Sequence, residues 1–273
     1  MVVSLKKIIE INNLSCYYGN KKILDNINLE IKEDSFVTIL GANGCGKSTM
    51  AKAMLGLIPY EGQIKIENTI LKEESFSKIK KYVGMVSETY EDKFDADTPY
   101  DSIYFYLKNL GMNENEIKIK ILNIQKVLKL ESFMQCSISH LSISELQLLS
   151  FACVLASEPK IIILDNAMSM LDETIKNTIF RYLKKINKDK KTTIINFSNN
   201  PEESIYGKDL ILLHNRNILL FAPIKEALLE EKKFRQCNLE LPFMASLSLK
   251  LKYYGLVDHL ILDMNKMVNQ LWK

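Results

Sequence analysis

Paired cysteines, a strong net charge and long apolar runs are all missing from this chain of 273 residues. The five cysteines, Cys16, Cys45, Cys136, Cys153 and Cys237, show no CxxC spacing and are odd in number. They read as reduced thiols of a cytosolic protein rather than a disulfide frame or a zinc site. A net charge of +3 is too weak to argue for nucleic acid. No apolar run approaches the ~20 residues needed to span a bilayer. ILLHNRNILLFAP (211–223) comes nearest, but His214, Asn215, Arg216 and Asn217 interrupt it, so it reads as two strands joined by a polar turn. MVVSLKKIIEIN at the N-terminus lacks the apolar core of a secretory leader. Service to a membrane process would therefore need a membrane partner.

What is present suits a packed globular chain. Hydrophobic residues make up 47% and charged residues 25%, which excludes global disorder and allows one large α/β domain with an appendage, or two small domains. INLEIK (27–32) and GQIKIE (62–67) alternate as half-exposed strands do. SFVTIL (35–40), KYVGMV (81–86), IIIL (161–164) and TTIINF (192–197) are further strand candidates, the continuous apolar runs among them reading as buried parallel strands. STMAKAMLGLI (48–58) and LQLLSFACVLA (146–156) read as helices. Ile117, Ile121, Ile124 and Leu128 recur at helical spacing in 113–130, as do Ile175, Ile179, Leu183 and Ile186 further on. The pattern predicts a parallel sheet with crossover helices and a helical insert over about 95–158. LELPFMASLSLKLKYYGL (239–256) has a proline start, a helical run and a glycine stop, and belongs to a separate C-terminal extension at 229–273 after a domain at 1–228.

GANGCGKST (41–49) fits GxxxxGK[ST] between a strand and a helix. Gly41, Gly44 and Gly46 let backbone N–H groups close around phosphates, Lys47 reaches the β- and γ-phosphates, and Ser48 can ligand Mg²⁺. Asn43, Cys45 and Thr49 complete the candidate contacts to ATP. Cys45 reads either as a small filler or as a thiol made more reactive by a helix N-terminus. IIILD then delivers Asp165 as a partner of the magnesium site.

In this order the motifs resemble the ATP-binding subunits of ABC transporters, and specifically the energy-coupling factor group that drives vitamin and metal uptake. The resemblance covers essentially the whole chain. It rests on Tyr18 in CYYGN at the place of a stacking tyrosine, VGMVSETY (83–90) against VGMVFQNP, and DNAMSMLD (165–172) against DEATSMLD. The C-terminal extension also matches, in the family a segment that helps two ATPase subunits pair. The resemblance implies a P-loop NTPase fold: a RecA-like core of mostly parallel sheet with antiparallel strands, a helical subdomain and a small C-terminal extension. It further implies Mg-ATP as cofactor, a second ATPase subunit, a transmembrane coupling protein docked near 88–110, and indirectly a substrate-binding membrane protein. The location implied is peripheral, on the cytoplasmic face of the cell membrane.

Against the family pattern, the glutamate that polarises the attacking water is Asn166, the Q-loop glutamine is Glu88, and the switch histidine falls on Asn199. LSGGQ is LSISE, so Ser142, Ile143, Ser144 and Glu145 stand at the signature, with Gln147 matching downstream and Asp172 on the D-loop. Loss of a positioned base typically costs ~10²–10⁴-fold in rate. Glu88 reads as a magnesium ligand, as a displaced base, or as drift. Ile143 and Ser144 add side chains where glycines let backbone approach a partner's nucleotide, and Glu145 brings a carboxylate toward phosphate. ATP binding is thus expected to survive better than hydrolysis. Two other readings stay open: a non-transporting regulatory ATP-binding protein, and an ABC-type protein acting on DNA or ribosomes, which the absence of coiled-coil insertions and of a second fused unit disfavours.

Overall fold

The computed structural model describes residues 6–88 and 94–272. In chain order the strands and helices are β1 (Lys7–Tyr18), β2 (Lys21–Lys32), β3 (Phe36–Leu40), α1 (Lys47–Met54), β4 (Glu61–Ile66), β5 (Thr69–Ile70), α2 (Phe76–Ile79), β6 (Val83–Ser87), α3 (Pro99–Asn109), α4 (Glu114–Leu128), α5 (Ile143–Ser157), β7 (Ile161–Asp165), α6 (Glu173–Asp189), β8 (Thr193–Ser198), β9 (Asp209–His214), β10 (Asn217–Pro223), α7 (Ile224–Ala227), α8 (Glu231–Gln236), α9 (Phe243–Tyr253) and α10 (Met264–Leu271). The chain divides into two compact units, residues 1–9, 31–34 and 65–195 in one, and residues 10–30, 35–64 and 196–273 in the other. Strands β1, β2, β4 and β8 each give residues to both.

In the first unit β6 and β7 pair in parallel, Val83 opposite Ile161 through Ser87 opposite Asp165. All of β7 is buried, which is why its sequence is a continuous apolar run up to the acid. Helices α3, α4 and α5 pack on one another. In α4 the apolar stripe is the one expected, with Ile117, Ile121, Ile124 and Leu128 buried. Its start is fixed by a capping box between Asn113 and Glu116. Helix α5 starts at Ile143, earlier than expected, because Ser142 caps it. Ten of its residues from Gln147 to Ala156 are buried in succession, so no amphipathic period marks where it begins.

In the second unit β9 pairs in parallel with β3 and antiparallel with β10. The polar stretch expected to be a turn is one, with Asn215 and Arg216 at φ 45° and 70°. Leu40, Leu210 and Leu212 form a buried cluster with Phe234, Cys237 and Ala245. The chain after β10 is thus anchored in the core beneath the end of β3. Truncating the fully buried Phe234 to alanine would cost about 3–5 kcal/mol. Helix α9 begins after Pro242 and stops before Gly255, which sits at φ 72°. Parallel and antiparallel strands coexist with the helical insert, as the fold class requires. Among the described residues no helix is long and apolar enough to cross a membrane, and all five cysteines are free thiols.

Candidate nucleotide site

In the second unit every residue of β3 is buried, and the strand runs straight into the glycine loop. Gly46 sits at φ 109°, and a Cβ there would lie 2.7 Å from Leu24 Cδ2. At Gly41 a Cβ would meet Cys45 Sγ at 2.5 Å and the Leu213 carbonyl oxygen at 2.7 Å. Both positions need glycine, one for backbone conformation and space, the other for space alone. The loop therefore makes a cradle of backbone that a side chain would fill. Lys47 opens α1 and is 4% exposed. Its ammonium donates to the carbonyls of Gly41 at 2.7 Å and Ala42 at 3.0 Å, which hold a buried cation over the loop. Ser48 and Thr49 follow in the first turn of α1. These residues fit a magnesium nucleotide: a positive helix N-terminus, a buried lysine and an open backbone.

Asn199, expected at the switch position, reaches the loop. Asn199 Nδ2 donates to Asn43 Oδ1 at 2.9 Å. Tyr18 ends β1 with half its surface exposed, as a ring available for stacking must be. A cleft of about 280 Å³ is lined by Lys22, Gly44, Cys45, His214, Arg216 and Cys237, among others. Cys45 corrects one expectation. Burial pushes its thiol pKa up, and the Lys47 charge and backbone N–H groups offset this only in part. The thiol is less acidic than an ordinary one, so it is not an activated nucleophile.

The remaining motifs lie in the first unit. Asp165 is 6% exposed at the end of β7. The Glu88 N–H donates to the Asp165 carbonyl at 3.0 Å, so Glu88 and Asn166 leave two neighbouring strand ends side by side. Asn166 takes a left-handed φ of 49°, a conformation asparagine tolerates better than glutamate does. Its Oδ1 is buried and has no partner among the described residues. Gln147, fully buried in α5, donates from Nε2 to the Ser87 carbonyl at 3.3 Å and so ties the signature helix to the strand that carries Glu88.

The LSISE segment is closed by its own hydrogen bonds. Glu145 does not extend freely from α5. Its Oε2 accepts from the Ser142 N–H at 2.8 Å and from Ser142 Oγ–H at 2.7 Å, while Ser142 Oγ accepts from the Glu145 N–H at 3.3 Å. The side-chain and backbone hydrogen bonds from Ser142 hold the Glu145 carboxyl below its ordinary pKa. LSISE is thus a helix capping box, while Ile143 is 56% exposed and Ser144 follows it in the first turn. Asp172 likewise caps α6, its Oδ1 accepting from the Ile175 N–H at 2.8 Å.

Five residues of the expected docking segment, 89–93, lie outside the described residues. Of the rest, α3 buries Pro99, Ser102, Ile103 and Leu107 and leaves Phe105 48% exposed. Sequence reasoning missed Glu202, whose Oε1 accepts from the Phe243 N–H at 2.6 Å. The sole signal was the Asn-Pro-Glu turn after Asn199.

The ABC transporter family profile matches residues 24–169. A protein of Pediococcus pentosaceus described as energy-coupling factor transporter ATP-binding protein EcfA is 33% identical over 247 residues, 89% of this chain and 88% of that protein. The structure of cbiO1 from Clostridium perfringens, described as part of the ABC transporter complex cbiONQ, has a TM-score of 0.73 at 26% identity, covering 88% of this chain and 98% of that one. The ATP-binding cassette MJ0796, in a post-hydrolysis state bound to ADP and Pi, has a TM-score of 0.73 at 26% identity, covering 79% and 98%.

Proposed function

The chain belongs to the ABC transporter family, within its energy-coupling factor ATP-binding proteins, and from that premise we propose that it binds Mg-ATP as the slower member of a pair of unlike ATPase subunits. The observation that carries this reading is the contrast between a phosphate loop complete to its buried Lys47 and Asn166 where hydrolysis wants a carboxylate. In this assignment the loop backbone and Lys47 hold the phosphates, Tyr18 stacks on the base, and Ser48 and Asp165 hold magnesium. Magnesium when bound neutralises phosphate charge. Glu88 is a further carboxylate that would hold magnesium or accept a proton. Asn166 orients water through its amide but accepts no proton at neutral pH, and Asn199 stands where the family places a group against the γ-phosphate. Slow turnover follows, by ~10²–10⁴-fold for a missing base.

Residues 142–145 and Asp172 face the partner ATPase, residues 229–273 help the two chains pair, and 88–110 dock on a transmembrane coupling protein. The chain then works on the cytoplasmic face of the membrane in vitamin or metal uptake, with a separate membrane protein selecting the substrate. Steady-state ATP turnover of the chain with its partner tests this, with the partner's catalytic glutamate intact and then changed to glutamine. Turnover falling about 100-fold or more, with ATP still bound here, is expected. Undiminished turnover overturns the assignment of slow chemistry to this chain. Isolation of the chain alone, with no ATPase or membrane partner, favours the regulatory reading instead.

A further inference from the structure

Residues 198–202 form a short turn closed by its own hydrogen bonds. The Asn200 N–H donates to Ser198 Oγ at 3.0 Å, and Asn200 Oδ1 accepts from the Glu202 N–H at 3.1 Å. At one end Asn199 holds Asn43 of the phosphate loop. At the other Glu202 holds the Phe243 N–H, a contact 41 residues along the chain. Phe243 is the first residue of α9, and the N-cap of that helix is Pro242, which makes no side-chain cap. Glu202 therefore supplies the acceptor and the negative charge that a helix N-terminus lacks. A second link is independent of the first. Leu40, the residue before the loop, packs with Phe234, Cys237 and Ala245, and Cys237 and Asn238 share a cleft with Gly44 and Cys45.

We propose that Glu202 is a positioning residue that couples the phosphate loop to the C-terminal extension. Phosphate entering the loop competes for the Asn43–Asn199 contact, and the closed turn passes the displacement to the first turn of α9. By linkage the reverse holds: seating the extension against a partner sets where Asn199 stands. This rests on the loop binding Mg-ATP. The coupling is small, about five- to tenfold, at the low end of the usual range because Glu202 is exposed and screened.

The test is residue-resolved backbone hydrogen exchange on the full-length chain, with and without Mg-ATP, read at Phe243, alongside a separate ATP titration. In the parent chain Mg-ATP is expected to change exchange at Phe243 about five- to tenfold. Glu202→Ala removes that response and, by the same linkage, shifts ATP affinity by no more than about five- to tenfold. Glu202→Gln, which keeps the acceptor oxygen, restores most of it. A cap with no coupling role would alter exchange at Phe243 equally with and without ATP. An ATP response that survives Glu202→Ala overturns the coupling, as does no response in a parent chain that binds ATP. A chain that fails to bind ATP in the titration overturns the nucleotide reading as well.

Discussion

The phosphate loop and the paired ends of β6 and β7 ask different things of a sequence. The loop binds through its backbone, so its demands are geometric: glycine at φ 109° against Leu24, glycine under Cys45, and one lysine. Those demands are all met. In the proposed assignment the strand ends supply chemistry through side chains, which the paired backbone positions but does not itself provide. Ser87 is opposite Asp165 and Glu88 bonds to the Asp165 carbonyl, and in the proposed assignment Asn166 stands where a base would. A fold can thus keep its nucleotide cradle while altering what is done to the nucleotide, because binding and proton transfer rest on different atoms.

The largest effect is expected at the loop. Lys47→Ala should weaken ATP binding by about 100-fold, the worth of roughly 3 kcal/mol of charge-assisted hydrogen bonding, in a fluorescent-nucleotide titration. Unaltered affinity would mean that the loop is not the nucleotide site. The next effect lies at the strand end. Asn166→Glu, measured beside a partner whose own glutamate is changed to glutamine, should raise turnover about 10- to 100-fold. The gain falls short of the full general-base range because the left-handed backbone suits glutamate poorly. No gain would show that the defect lies elsewhere.

The smallest effect lies at the signature. Glu145→Ala should cost about 0.5–1 kcal/mol of stability in denaturant melts, the usual worth of half a capping box. The folded pKa of Glu145 is lowered, so its contribution is complete above the unfolded carboxylate value of about 4.3 and is lost as pH falls through the folded value. The gap between the two proteins should therefore be flat near neutrality and close below about pH 4. A gap that widens in acid would contradict the capping geometry.

Legibility followed the range of the forces involved. The α4 stripe and the β9–β10 turn were readable because each is fixed by neighbours within a few residues. Boundaries shifted where local capping or turns intervened. Helix α1 ends at Met54 rather than near 58, with Gly56 at φ 67° just beyond it. Strand β6 starts at Val83 rather than 81, because the Tyr82 N–H is still bonded to Ile79. The start of α5 is set by the local capping box of Ser142 and Glu145, ahead of ten buried residues that carry no amphipathic period.

Residue type and short spacing are enough to set the phosphate loop, the alternation that builds the sheet, the Ser142–Glu145 capping box and the absence of a carboxylate directly after Asp165. Folding alone decided that burial pushes the Cys45 thiol pKa up, and that Asn199 meets Asn43 while Glu202 meets Phe243. Proton affinity depends on how much water burial removes, and a hydrogen bond between distant residues exists only once folding has brought donor and acceptor together.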